Sequence, residues 1–186
     1  MTIQVKGLRK KYFNKEAVKG VDFTIEPQSI IGLLGRNGAG KSTVLNMIAR
    51  RIEKTSGDIT LDGVDLHKTP RAMHQVYLSS TENWFPKEYK FKDLLSIYKK
   101  TYPEFDSEFA EELIKVFGVN VKERFSKAST GYQSIMKIIL ALCNPSEYIF
   151  MDEPVLGLDA NHRHIFNKKL LEAYARNPRT FVIATH

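Results

Sequence analysis

The chain has 186 residues, with 28 Lys and Arg against 21 Asp and Glu for a formal charge of +7, and 42% of its residues are hydrophobic. That length suits one domain with a single substantial core, and one cysteine excludes an internal disulfide framework or a cysteine-rich zinc site, which favours a reducing, cytosolic setting. No apolar run reaches the roughly 18 residues of a spanning helix, no signal-peptide pattern opens the chain, and the interspersed charges leave nucleic acid, anionic lipid and phosphate ligands all open.

Met1 to Lys11 alternates like a strand, and Val21, Phe23 and Ile25 alternate with Asp22, Thr24 and Glu26 before Pro27, so an antiparallel β-layer is expected first. Ile30 to Leu34 is a continuous apolar run before a Gly-rich turn, the pattern of a central strand buried on both faces of a parallel sheet. Val44, Leu45 and Ile48 mark a helix starting near Lys41, and Ile59 and Leu61 alternate towards an Asp62-Gly63 turn. From Thr81 to Asn144 the composition turns aromatic and charged. Helical spacing recurs there at Leu94, Ile97 and Tyr98 and at Phe109, Leu113 and Phe117, with Asp106 as N-cap and Gly118 as stop, and a further helix is expected over Tyr132 to Leu142. Tyr148 to Met151 and Phe181 to Ala184 read as short buried strands, with a helical stripe of Ile165, Phe166, Leu170 and Tyr174 between them.

Gly35-Arg36-Asn37-Gly38-Ala39-Gly40-Lys41-Ser42-Thr43 fits G-x-x-x-x-G-K-[ST], and it lies between a strand and a helix, where that motif has mechanical meaning. Glycines let successive N–H groups curl towards one anion, and the start of the helix adds the positive end of its dipole. Lys41 is then placed for the β- and γ-phosphates, and the Ser42 hydroxyl for Mg²⁺. The predicted fold is therefore α/β, a P-loop NTPase core with a mostly parallel sheet, an N-terminal antiparallel β-layer and an inserted helical subdomain. Residues 1–80 and 145–186 would form the core and 81–144 the insertion.

Ligands of parallel sheets sit at the carboxyl ends of the strands, and Asp152-Glu153 ends the run Tyr148-Ile149-Phe150-Met151. Asp152 is expected to hold Mg²⁺, directly or through water, and Glu153 to accept a proton from the attacking water. An acidic pair after a strand is by itself more often a turn or a cap, and the phosphate loop is what changes that weighting.

Together these motifs resemble the nucleotide-binding domain of ATP-binding cassette (ABC) transporters, in the style of single-cassette bacterial exporters. Ser129-Thr130-Gly131, within Ala128 to Tyr132, resembles the family's signature loop, with Thr130 and Tyr132 in place of the usual glycine and glutamine. The resemblance implies that Ser129 and Gly131 touch the γ-phosphate held by a partner subunit. It also implies that Asp159 of Gly157-Leu158-Asp159 joins the two subunits, that His186 is the switch histidine, and that Tyr12 stacks on adenine. ATP and Mg²⁺ are the implied ligands. The implied partners are a second ATPase subunit, identical or not, arranged head to tail, and a transmembrane permease docked near Trp84 to Tyr89; no nucleic acid is expected. The implied place is the cytoplasmic face of the cell membrane, and the implied work is efflux of a peptide, antibiotic or similar compound.

One family feature is missing. Ser80 stands where a glutamine usually meets Mg²⁺ and water, so either the serine binds through a water or hydrolysis is slow. A soluble cassette ATPase acting on nucleic acid or ribosomes would usually carry tandem cassettes, coiled-coil arms or cysteine-rich insertions. A regulatory module that holds ATP without turnover would not need both Glu153 and His186. The family's cassette normally continues beyond the switch histidine, so a chain ending at His186 is expected to be part of a longer subunit.

Overall fold

In the computed structural model, which describes residues 1–186, the first layer is an antiparallel sheet of order β2-β1-β4-β5. Its strands are β1 (Ile3–Tyr12), β2 (Lys15–Ile25), β4 (Ser56–Leu61) and β5 (Val64–Asp65). Alternation puts Ile3 and Val5 inside, and strict continuation would bury Gly7 and expose Leu8. A register shift between Val5 and Leu8, with Gly7 at φ 57, adds the extra residue that returns Leu8 to the core, where it is fully buried. Asp62 and Gly63 both take positive φ, 49° and 80°, as a tight turn joining β4 and β5 requires.

The second sheet has the order β3-β8-β7-β6, from β3 (Ile30–Leu34), β8 (Thr180–Thr185), β7 (Tyr148–Asp152) and β6 (Val76–Ser79). The β3/β8 and β8/β7 pairs are parallel. Every residue of β7 is buried. β3 corrects the expectation of a central strand: it pairs only with β8, and Ile30 and Leu34 are 38% and 74% exposed. A run of apolar residues reports low polarity, not the number of neighbouring strands, and in this sheet β8 and β7 hold the inner positions.

Contacts group residues 1–78, 146–152 and 179–186 into one unit that holds both sheets, and residues 79–145 and 153–178 into another. In the first unit α1 (Lys41–Ile48) buries Val44, Leu45 and Ile48, as its spacing predicts, and Met47 besides. A single-turn helix, α2 (Pro70–Met73), starts on Pro70, whose fixed φ suits a first turn. Tyr148 is 1% exposed and its hydroxyl donates to the Met1 carbonyl oxygen, so burial pushes the phenol up to about 12.

The second unit is helical: α3 (Phe91–Thr101), α4 (Ser107–Val116), a 3-10 turn (Phe125–Lys127), α5 (Thr130–Leu142) and α6 (Ala160–Arg176). Asp106 caps α4 by accepting from Phe109 N at 2.9 Å, and Gly118 follows that helix at φ 66, both as expected. The segment 153–178 groups with these helices, whereas the sequence division put it with the core. The reason is α6: Lys169, 8% exposed, donates to Glu112 of α4 and to Glu172 at 2.8 Å, and Arg176 reaches Asp106 at 3.6 Å. No helix is long and apolar enough to cross a membrane.

Candidate functional site

The parallel ladder aligns three segments at one sheet edge. Leu34 is paired with Thr185, and Asp152 with Ala184. Gly35, which opens the phosphate loop, and His186, which follows β8, therefore leave the sheet at the edge where Asp152 ends β7. The expected gathering of strand ends follows directly from the register.

Within the loop, Gly38 and Gly40 have φ 81° and 92°, values that L side chains rarely adopt. The space a β-carbon would take at Gly38 is open, whereas at Gly40 it would lie 2.7 Å from the Ala17 carbonyl oxygen of β2. Ala39 N closes a turn onto Arg36 O at 3.1 Å, and Asn37 and Gly38 are exposed. Gly40 precedes α1 and offers no side-chain cap, so the first turn presents backbone N–H groups and its dipole to the loop. Lys41 Nζ donates to Gly35 O at 2.5 Å and lies 3.4 Å from Arg36 O, which holds its ammonium over the loop. Ser42 is exposed and Thr43 half-buried on the first turn of α1. The uncapped first turn of α1 and the Lys41 ammonium give the loop the N–H donors and the positive charge that an anion site requires.

Tyr12 ends β1 on the hairpin whose β2 backbone touches Gly40; it is 42% exposed, with Lys10 Nζ 4.8 Å from its ring centroid. Asp152 is 4% exposed. Together with Ser42 it offers hard oxygen donors, and no group of three His, Cys, Asp or Glu in the chain is placed to hold a metal ion by itself. That donor set fits Mg²⁺, which keeps waters and takes phosphate oxygens rather than an all-protein cage.

Glu153, next along the chain, has φ 49°, an uncommon conformation for a residue with a β-carbon. Such strain collects at functional sites. It belongs to the helical unit, with Ser129, Gly131 and Asp159. Ser129 caps α5, its Oγ accepting from Tyr132 N at 3.3 Å, and both Ser129 and Thr130 are exposed. α5 thus starts at Thr130, two residues before the expected Tyr132. Gly131 is half-buried, packed backbone to backbone against Gly157. Asp159 caps α6, accepting from His162 N at 2.8 Å and contacting His162 Nδ1 at 2.9 Å; the His162 backbone N–H, then its ring, hold the carboxyl below the usual range.

Two residues escaped the sequence reading. His162 engages Asp159, and only its position three residues into the helix after the cap signals this. Lys137 is the one cation within α5, and its interruption of the apolar stretch Ile135 to Leu140 is the available signal. Ser80, the residue after β6, is 6% exposed and accepts from Glu82 N at 3.1 Å.

The family model for the ABC transporter matches residues 18–156. The ABC transporter ATP-binding protein YtrB of Bacillus subtilis is 32% identical over 184 residues, which is 99% of this chain and 63% of YtrB. NatA, an ABC transporter ATP-binding protein of the same organism, is 33% identical over 92% of this chain and 72% of its own length. LptB, the ATP-binding protein of the lipopolysaccharide export system of Haemophilus influenzae, is 31% identical over 84% of this chain and 69% of its own length. In fold, the chain superposes over its whole length on the solved ATP-binding subunit of an ABC transporter, with TM-score 0.84 at 23% identity and 80% of that chain covered. It also superposes on a protein of Pyrococcus furiosus described as an ABC transporter ATP-binding protein, with TM-score 0.81 at 20% identity and 92% of that chain covered. With the family model spanning most of its length and relatives above 30% identity, the chain belongs to the ABC transporter family, whose ATP-binding domains are ATPases.

Proposed function

We propose that this chain is the ATP-binding and ATP-hydrolysing part of an ABC transporter, working at the cytoplasmic face of the membrane on a separate permease. The observation that carries the reading is the shared sheet edge of the phosphate loop, Asp152 and His186. The loop amides and Lys41 would bind the β- and γ-phosphates, and Tyr12 would stack on the adenine. Ser42 and Asp152 would hold Mg²⁺, which neutralises charge building up on the transferred phosphoryl group. Glu153 would take the proton of the attacking water, with His186 keeping water and γ-phosphate in register.

Ser129 and Gly131 of a second chain, identical or not, would complete each site from the far side of the phosphates, with Asp159 at the joint. Such a head-to-tail pair encloses ATP in a dry, donor-rich site and opens once the γ-phosphate leaves. Efflux of a peptide, antibiotic or similar compound is the transport reading, supported by the likeness to an export-system ATPase. Trp84, 68% exposed, suits a permease contact.

The test is phosphate release from ATP and Mg²⁺ by the purified chain. Ser42→Ala and Glu153→Gln should each lower kcat by about 10²-fold or more. Glu153→Gln with ATP should give a stable dimer by light scattering. Unchanged release from Ser42→Ala, with no dimer from either Glu153→Gln or wild type, would refute the reading.

A further inference from the structure

Lys137 ends on the loop that follows β6. Its Nζ donates to the carbonyl oxygens of Ser80, Thr81 and Glu82 at 2.8, 2.9 and 3.0 Å. An ammonium has three N–H donors and no acceptor, so successive carbonyls converging on one point match its hydrogen-bonding capacity, and charged donors make the stronger bonds. Inside the loop Glu82 N donates to the buried Ser80 Oγ. The Phe125 ring lies 5.9 Å from the same Nζ and takes Phe85 edge-on, with centroids 4.9 Å apart, so the chain beyond Glu82 is held as well.

Two neighbours give this clamp its meaning. α5 begins with Thr130 and Gly131, capped by Ser129, so the helix that carries Lys137 also carries the candidate signature loop. β6 starts beside β7, with Tyr148 N donating to Gln75 O at 2.9 Å, and β7 ends on Asp152. The clamped loop is therefore the continuation of a strand that runs next to the one bearing the candidate metal ligand. The Ser80 hydroxyl bonds only as far as Glu82; the reach that joins this loop to α5 is supplied by Lys137.

We propose that Lys137 is a positioning residue for ATP turnover: it fixes the Ser80–Glu82 backbone to α5, so that the loop moves with the Ser129–Gly131 segment instead of following β6 alone. This rests on the ATPase reading above, and it assigns to an ammonium and backbone carbonyls a linkage that a side chain at position 80 does not make.

Lys137→Met keeps the apolar stem and removes the ammonium. Its kcat should fall about tenfold or more, while KM for ATP stays within about threefold. Lys137→Cys should fall likewise, and alkylation with 2-bromoethylamine, which rebuilds an ammonium of nearly the lysine length, should restore most of the lost kcat. The native Cys143 is buried, and the Met variant should not respond to the reagent. A Met variant with wild-type kcat, a loss confined to KM, or an alkylated Cys variant that stays at the Met level would each overturn the proposal. If the variants do not fold, hydrogen exchange on the wild type decides: ATP with Mg²⁺ should change protection of residues 79–85 and 129–136 together, and a change in one segment alone overturns the clamp. A wild-type chain that binds ATP but releases no phosphate would instead sink the turnover reading and leave the exchange test standing.

Discussion

Gly131 and Gly157 lie backbone against backbone: a β-carbon on Gly157 would sit 2.9 Å from Gly131 N and 3.2 Å from its Cα, and one on Gly131 would overlap the Gly157 carbonyl oxygen. Ser134 Oγ adds a bond to Leu156 O at 2.8 Å. The loop ahead of α5 and the loop ahead of α6 are thus one packed piece. The expectation for Gly131 was contact with a partner's phosphate, and the fold gives it a second, internal reason to be glycine.

Gly131→Ala should therefore weaken the chain before any nucleotide is added. Overpacking two backbones costs about 1–3 kcal/mol, against about 1 kcal/mol for Ser134→Ala, which removes only the bond to Leu156. Urea unfolding of the apo chain checks the order; equal stability of Gly131→Ala and wild type would mean that the two loops part easily.

Glu153 holds φ 49° at the end of β7. Glycine accepts that conformation freely, so Glu153→Gly should keep or raise stability, by up to about 1 kcal/mol, while phosphate release falls by about 10²-fold or more. Glu153→Gln should keep the strain and lose the activity alike. Thermal melts of the two variants side by side separate backbone from carboxylate, and a Gly variant that melts well below the Gln variant would contradict the strain.

Tyr148 provides an alkaline signature. Burial, then the nearby Asp62, Glu147 and Glu26, raise its hydroxyl from 10.0 to about 12, so the folded chain keeps a proton that the unfolded chain has lost. The associated stability is full below pH 10 and drains away as pH rises to about 12, and a gap of about two pH units corresponds to about 3 kcal/mol. Tyr148→Phe, whose buried ring does not titrate, should show a shallower loss over that window in denaturant titrations.

Lys169 provides the acid counterpart. Burial pulls its ammonium down, but the hydrogen bonds to Glu112 and Glu172 more than reverse this and leave it above its ordinary value. The Lys169 hydrogen bond, set against partial desolvation, holds the Glu112 carboxyl below 4.5. The sign for a lowered carboxylate is that its stability is present above the unfolded value and is lost as pH falls through the folded one. Lys169→Met should cost about 2 kcal/mol at pH 7, less than a fully buried pair because Glu112 is partly exposed. It should also flatten the acid limb of the unfolding curve below about pH 4.5, which acid titration of both proteins tests.

The phosphate loop, the strand ending in Asp152 and the cap at Asp106 are legible in the sequence because each rests on local spacing within a few residues. The edge position of β3 is not legible, because its apolar run carries no record of how many strands flank it. For α6, too, the helical stripe shows that a face is buried and not what buries it. Lys137 escaped for the same reason: its three acceptors are backbone carbonyls more than fifty residues away, and a carbonyl has no letter in a sequence.

The paired ladder of β3, β8 and β7 also works as a ruler. His186 has its place because Phe181 to Thr185 are matched residue for residue with Ile30 to Leu34 on one side, and Thr180 to Ala184 with Tyr148 to Asp152 on the other. Removing a single residue from β8 would draw the histidine back by about 3.3 Å and turn it to the opposite face of the sheet. The placing of His186 is therefore sensitive to any change of length within β8, a strand that is otherwise matched only to its two neighbours.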